Sequence, residues 1–270
     1  VINCGMISIL LGVIGLCLGS FLNVVIARYP VMLMRQWQAE SHEWLQLPAR
    51  SEQPPFNLVR PRSHCPQCQH RLLFWQNIPL VSYLILRGRC HFCRQRISIQ
   101  YPIIEGLTAL ALLAVFFKFG WQAKTYALWL MTLGLITLSG IDWKSRLLPD
   151  AMTLGLLWIG LMVNIGGLFT PLDDAVLGAV TGYILLWTVA ALFRLVRKKQ
   201  GLGPGDFKML AMFGAWAGVM QMLYILVIAV LLSLVINLLL LAFKKISYDQ
   251  PVPFGPWLGI AGWMVLWVMH

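Results

Sequence analysis

Two aspartates in this 270-residue chain stand where an ionisable side chain is costly, at the ends of apolar segments. Asp206 lies in Gly203-Pro204-Gly205-Asp206-Phe207-Lys208, ahead of an apolar run from Met209 that reads as helix. Its carboxylate therefore falls in or near a first turn, where unpaired N–H groups and the positive dipole end favour it. Asp142 closes another apolar segment, in Ser139-Gly140-Ile141-Asp142-Trp143-Lys144, where the dipole end is negative. A carboxyl pair holding one proton suits peptide hydrolysis. The ionised partner takes a proton from water and the protonated one polarises the scissile carbonyl. If the two meet, the contrast between their helix ends puts the shared proton mainly on Asp142, as a bias within one coupled unit. No Ser/His/Asp set or H-E-x-x-H is present, which removes the serine and metallo routes.

A second constellation is Cys65-Pro66-Gln67-Cys68 followed, after 21 residues, by Cys90-His91-Phe92-Cys93. Each C-x-x-C closes a tight turn that presents two thiolates, and two such turns make a tetrahedral zinc site. Four thiolates leave no open position for water, so the zinc is structural. Disulfides are the competing reading, and a reducing compartment disfavours them. His64, His70 and His91 flank the knuckles and read as solvent-facing rather than as ligands. Cys4 and Cys17 read as packing residues in an apolar segment.

Glu105, Asp150 and Lys208 complete the list of candidates. Asp150 follows Pro149 and opens an apolar run, an ordinary N-cap position. Glu105 lies three residues after Pro102, in a first turn, with support of the dipole and a role in a site equally open. Glu105 and Lys208 are the candidates for substrate or cofactor contacts.

These residues need a frame, and composition supplies it. The chain is 59% hydrophobic and 11% charged, too little polar surface to cover a soluble core. Its apolar segments are apolar all round, without the alternation of a barrel, so the class is an all-α polytopic membrane protein. Spans are expected at 5–27, 102–118, 124–141, 151–169, 174–193, 206–219, 222–243 and 254–269: about eight transmembrane helices. The break between the sixth and seventh rests on Gly214, Gly218 and Gln221, because a run from Met209 to Phe243 is too long for one crossing. Gly12, Gly15 and Gly19 share a helix face and permit close packing. Residues 1–27 are then a first span, 28–100 a cytoplasmic domain with the Cys4 zinc site, and 101–270 a membrane-embedded core.

The formal net charge of +11 is explained by topology rather than by nucleic acid. If the spans alternate, nineteen of the 21 Lys and Arg fall on one side, and only Lys118 and Lys124 on the other, with Asp173 and Asp174. The positive-inside rule makes the rich side cytoplasmic, with both termini periplasmic. Basic loops on that side face the anionic headgroups of the bilayer.

The chain closely resembles the type IV prepilin peptidases, membrane-embedded GxGD aspartyl proteases of bacteria. The resemblance is carried by Gly19-Ser20-Phe21-Leu22-Asn23-Val24-Val25-Ile26, both cysteine knuckles, Asn77-Ile78-Pro79 and Arg87-Gly88-Arg89-Cys90. It continues through Tyr101-Pro102-Ile103-Ile104-Glu105, Asp142 with Leu148-Pro149-Asp150, Gly203 to Lys208, and Pro253-Phe254-Gly255-Pro256. It implies Asp142 and Asp206 as the catalytic pair. It also implies cleavage after a glycine of the short basic leader of prepilins or pseudopilins at the cytoplasmic face of the inner membrane. Many members then methylate the new N-terminus with S-adenosylmethionine, and the long cysteine-bearing loop is shared with those members. Phe207 and Trp143-Lys144-Ser145 are bulkier or more polar than the residues some members carry. The alternatives are a protease without methyltransferase activity, and an ion-coupled transporter using Asp142, Asp206 and Glu105 as proton sites.

Overall fold

A computed structural model of the chain describes residues 4–47, 54–198, 201–243 and 252–269. Of the cations counted above, Arg50, Lys199, Lys244 and Lys245 lie outside them. Secondary structure among the described residues is helical. The helices are α1 (Cys4–Trp44), α2 (Val81–Ile85), α3 (Gln100–Phe119), α4 (Ala123–Ser145), α5 (Asp150–Asn164), α6 (Leu172–Arg197), α7 (Pro204–Ala242) and α8 (Gly255–Met269). Five of them, α1, α3, α4, α6 and α7, are long and apolar enough to cross a membrane, and α5 and α8 are shorter apolar helices. The protein is a multi-pass membrane protein. Two compact units divide it, Val1–Lys118 and Phe119–His270.

In the first unit the glycine face of α1 meets α3. A Cβ on Gly15 would stand 2.6 Å from the Ala109 Cα, and one on Gly19 2.7 Å from the Glu105 Cα. The helices touch backbone to backbone, the packing that small residues allow in an apolar solvent. Asn23, 2% exposed, ties the two by donating to the Gly19 and Tyr101 carbonyls. α1 does not stop near Ala27. It runs through Pro30 to Trp44, because the residues beyond, among them Met32, Leu33, Met34 and Ala39, are strong helix formers that outweigh one lost backbone hydrogen bond.

The second unit is built around the first half of α7. Asp206, Phe207 and every residue from Met209 to Gly218 are buried, the pattern of a helix surrounded by others. α6 packs on it through Gly178 and Gly182, α5 through Gly160 beneath Trp216, and α8 through Gly262 beneath Phe213. Trp216 donates its indole N–H to the Leu156 carbonyl at 2.8 Å.

At Gly218 the helix is broken, with φ 81° and ψ −179°. A straight α7 of 39 residues would be about 58 Å long, nearly twice a hydrocarbon core. Counting its halves separately gives eight apolar helical segments among the described residues. A break leaves backbone groups without helical partners, which is costly away from water. Asn164 donates to the Ala215 and Trp216 carbonyls, and its own oxygen accepts the Phe169 and Thr170 N–H groups. Asp174 accepts the Val219 N–H and the Thr170 hydroxyl. In sequence Asp174 is a loop charge; in the structure it closes the start of the second half-helix.

Candidate functional site

The break in α7 leaves Asp206 at the third position of a rigid half-helix. Its Oδ2 accepts the Gly203 N–H at 3.2 Å, so the Gly-Pro-Gly turn folds back onto the carboxylate it precedes. Asp142 lies in the last turn of α4, which ends on Arg146 in the left-handed conformation at φ 54°. The Oδ2 of Asp142 accepts the Gly255 N–H at 3.0 Å, and Gly255 is the first residue of α8. The two carboxyls are 5% and 9% exposed, and each senses charge nearby: Asp206 that of Asp142, and Asp142 that of Arg146.

Leu148 packs against a glycine next to each of them. A Cβ on Gly205 would come 2.6 Å from the Leu148 Cβ, and one on Gly255 would come 3.3 Å from its Cδ2. Both glycines are therefore required by close approach: one side chain from the α4–α5 connection fills the space beside each carboxyl. The Gly255 amide and the Leu148 wedge have no assigned role in the sequence reading. Their signal was there, in Pro253-Phe254-Gly255-Pro256 and Leu148-Pro149-Asp150. The dipole contrast between the carboxyls changes too, because Asp142 faces the N-terminus of α8 as well as the C-terminus of its own helix. Both acids accept a helix N-terminal amide, so the helix ends do not single out Asp142 as the holder of a shared proton.

Asp150 is not an N-cap. Pro149 holds that position without a side-chain cap bond, and Asp150 opens α5. Its carboxylate takes the Lys208 ammonium at 2.6 Å instead, joining the starts of α5 and α7, because a lysine one turn into a neighbouring helix offers a full charge. Lys208 is thereby turned toward Asp150. Glu105, in the first unit, is 7% exposed; it accepts the Leu80 N–H at 2.8 Å and the Ser20 hydroxyl.

Also in the first unit, the Sγ atoms of Cys65, Cys68, Cys90 and Cys93 all lie within 4.8 Å of one another. An ion held tetrahedrally at 2.3 Å from each sulfur sets S···S edges of about 3.8 Å. Cys65 and Cys93 are 3.8 Å apart, so the cluster fits a metal of that kind. Both knuckles are built alike. Gln69 donates to the Cys65 carbonyl and Arg94 to that of Cys90, with φ of 58° and 59° at these matching positions. A single antiparallel bridge closes each, His64 with Arg71 and Arg89 with Arg96. The Cys93 and Phe92 amides aimed at the Cys90 sulfur draw that thiol down to about 7. His70 lies against Phe92, His91 meets Trp75 edge-on, and His64 contacts the Arg62 carbonyl. The sequence makes these histidines solvent-facing; in the structure each ring also has a protein neighbour.

Fold and site define a class: a polytopic helical membrane protein with two buried carboxyls supplied by separate helices. The chain belongs to the type IV leader peptidase family, whose profile matches residues 129–238, while the bacterial peptidase A24 N-terminal domain matches residues 13–119. It is similar to the prepilin leader peptidase/N-methyltransferase of Pseudomonas putida, at 49% identity over 94% of this chain and 88% of the relative. The protein of the same description from Pseudomonas aeruginosa is 47% identical over 94% and 87%, and that from Neisseria gonorrhoeae 43% identical over 95% and 88%. No solved structure matches the chain significantly.

Proposed function

We propose that this chain is a membrane aspartic endopeptidase and N-methyltransferase acting on prepilins or pseudopilins, with Asp142 and Asp206 as the catalytic pair. One observation carries the reading. Two buried carboxyls come from different helices, each held by a backbone N–H, with Leu148 packed against the glycine beside each. With one proton between them, the ionised acid takes a proton from the attacking water while the other donates its hydrogen bond to the scissile carbonyl. The proton then passes to the leaving amine, and the pair returns to its starting charge. An apolar pilin segment lies in the bilayer while its basic leader stays at the cytoplasmic face, which brings the scissile bond to the ends of α4 and α7. Residues 28–100 form a cytoplasmic domain in this topology, and both termini are periplasmic in a bacterial inner membrane.

The four cysteines are the proposed ligands of a structural zinc ion, which would fix the two knuckles against each other and supply no open coordination site. S-adenosylmethionine is the proposed methyl donor, supplying a methyl group to the neutral form of the newly exposed α-amine. Incubation of the full-length protein with a prepilin, followed by mass measurement, tests both activities. The expected product lacks the leader and carries one added methyl group. Asp142→Ala and Asp206→Ala should each lower cleavage by roughly 1,000-fold or more. Cleavage persisting in either variant rejects the dyad.

A further inference from the structure

Arg28 and Arg35, on the part of α1 beyond its apolar stretch, pin the segment around Phe56. Arg28 donates to the Asn57 and Leu58 carbonyls and Arg35 to that of Pro54. Their guanidinium carbons lie 5.9 and 4.7 Å from the centre of the Phe56 ring. This wall bounds a cleft of about 700 Å³ whose lining also includes Arg60, Arg62, Arg71 and His64. None of the described lining side chains is acidic, and Arg60, Arg62 and Arg71 make no ion pair among the described residues. Three guanidinium groups around one cleft repel one another until an anion enters. Their planar forks match a phosphate, which accepts two parallel hydrogen bonds from each.

We propose that this cleft is a phosphate-binding site, and that its occupant in the membrane is the headgroup of an anionic phospholipid. Depth selects the lipid. The first charge after the apolar stretch of α1 is Arg28, and the rise from there to Arg35 is about 10 Å, comparable with the headgroup layer on one side of a bilayer. The Phe56 wall is fastened between those two arginines, so the cleft opens where lipid phosphates lie. Such a contact anchors the cysteine domain to the bilayer surface, a role separate from peptide hydrolysis.

The test reconstitutes full-length protein in phosphatidylcholine vesicles containing a minor fraction of phosphatidylglycerol. Lipid retained after mild extraction is then counted by native mass spectrometry. Wild type should retain phosphatidylglycerol in preference to phosphatidylcholine. Each Arg→Gln change at 60, 62 or 71 should weaken that preference about fivefold, and all three together about a hundredfold. Metal retained at the cysteine cluster shows that the triple variant has folded; if it has not, the three single variants decide. Arg194→Gln, far along the sequence in α6, should leave the preference unchanged. Equal retention of both lipids by wild type, or unchanged retention in the Gln variants, overturns the proposal. So does a loss of the same size in Arg194→Gln. If water-soluble glycerol phosphate displaces the lipid at equal concentration, the occupant is a free phosphate compound and the lipid assignment fails.

Discussion

Gly255→Ala isolates the geometry of Asp142 from its chemistry. The added Cβ would stand 2.7 Å from Asp142 Oδ2, 3.2 Å from its Cγ and 3.3 Å from Leu148 Cδ2. Ordinary contact between such atoms begins near 3.4 Å, so the carboxyl must withdraw by roughly 0.7 Å or turn away. Turning forfeits the Gly255 N–H bond, now 3.0 Å, and stranding a buried carboxyl in this way costs about 1–3 kcal/mol. A displacement of that order in a catalytic group lowers the rate by about 10- to 100-fold. Leader cleavage measured at saturating prepilin should therefore fall by that factor in kcat, with KM little altered, since the peptide's apolar segment is bound elsewhere. Alanine has the higher helix propensity by up to about 1 kcal/mol, which offsets part of that cost, so thermal stability should fall by no more than about 2 kcal/mol while activity falls. Gly155→Ala is the control, because nothing lies within 4 Å of its added Cβ. A Gly255→Ala protein as active as the Gly155→Ala protein would refute the placing of Asp142 by the α8 amide.

Asn164→Ala should lower Tm by on the order of 5–10 °C, because it strands the Ala215 and Trp216 carbonyls at the α7 break together with two amides. Asp150→Asn should cost less than about 1 kcal/mol in denaturation and leave kcat nearly unchanged, since the Lys208–Asp150 pair is 60% exposed on the acid side. Metal uptake by the apo protein should strengthen as pH rises from about 7, where Cys90 is drawn down, and go on strengthening above it, because thiolate is the ligand and Cys93 is pushed up to about 11. Zinc titration against a chelator at several pH values checks the direction, and Cys65→Ser should remove the uptake.

The parts of the site legible in the sequence were those whose residue type is costly or unusual where it stands. A carboxylate ending an apolar run and four cysteines in two knuckles announce themselves, because lipid and reducing solvent leave few other uses for them. Gly218 was legible for a similar reason: an apolar run too long for one crossing had to break, and only glycine accepts φ 81° there without strain. What stayed hidden depends on partners distant in sequence. Asp150 has the local signature of a cap, and only the arrival of Lys208 from α7 redirects it. The Gly255 amide carries no side chain to advertise a role, and Asn164 looks like a polar residue at a helix end until the open carbonyls of α7 are brought to it. The end of the apolar span at 27 does not mark the end of the helix, since a single proline at position 30 cannot stop a helix whose continuation is otherwise favoured.

Asp206 is mounted on a stretch enclosed by neighbours from its carboxylate to Gly218, with Lys208 the single half-buried exception. A support so tightly held cannot slide or tilt to accommodate leaders of differing length. The exposed residues near the two acids are Trp143 and Lys144, directly after Asp142, and Gly201 and Gly203, before α7. If Asp206 is the acid that cuts, substitutions at those exposed positions should alter which peptides are accepted while its fixed mounting keeps the chemistry the same.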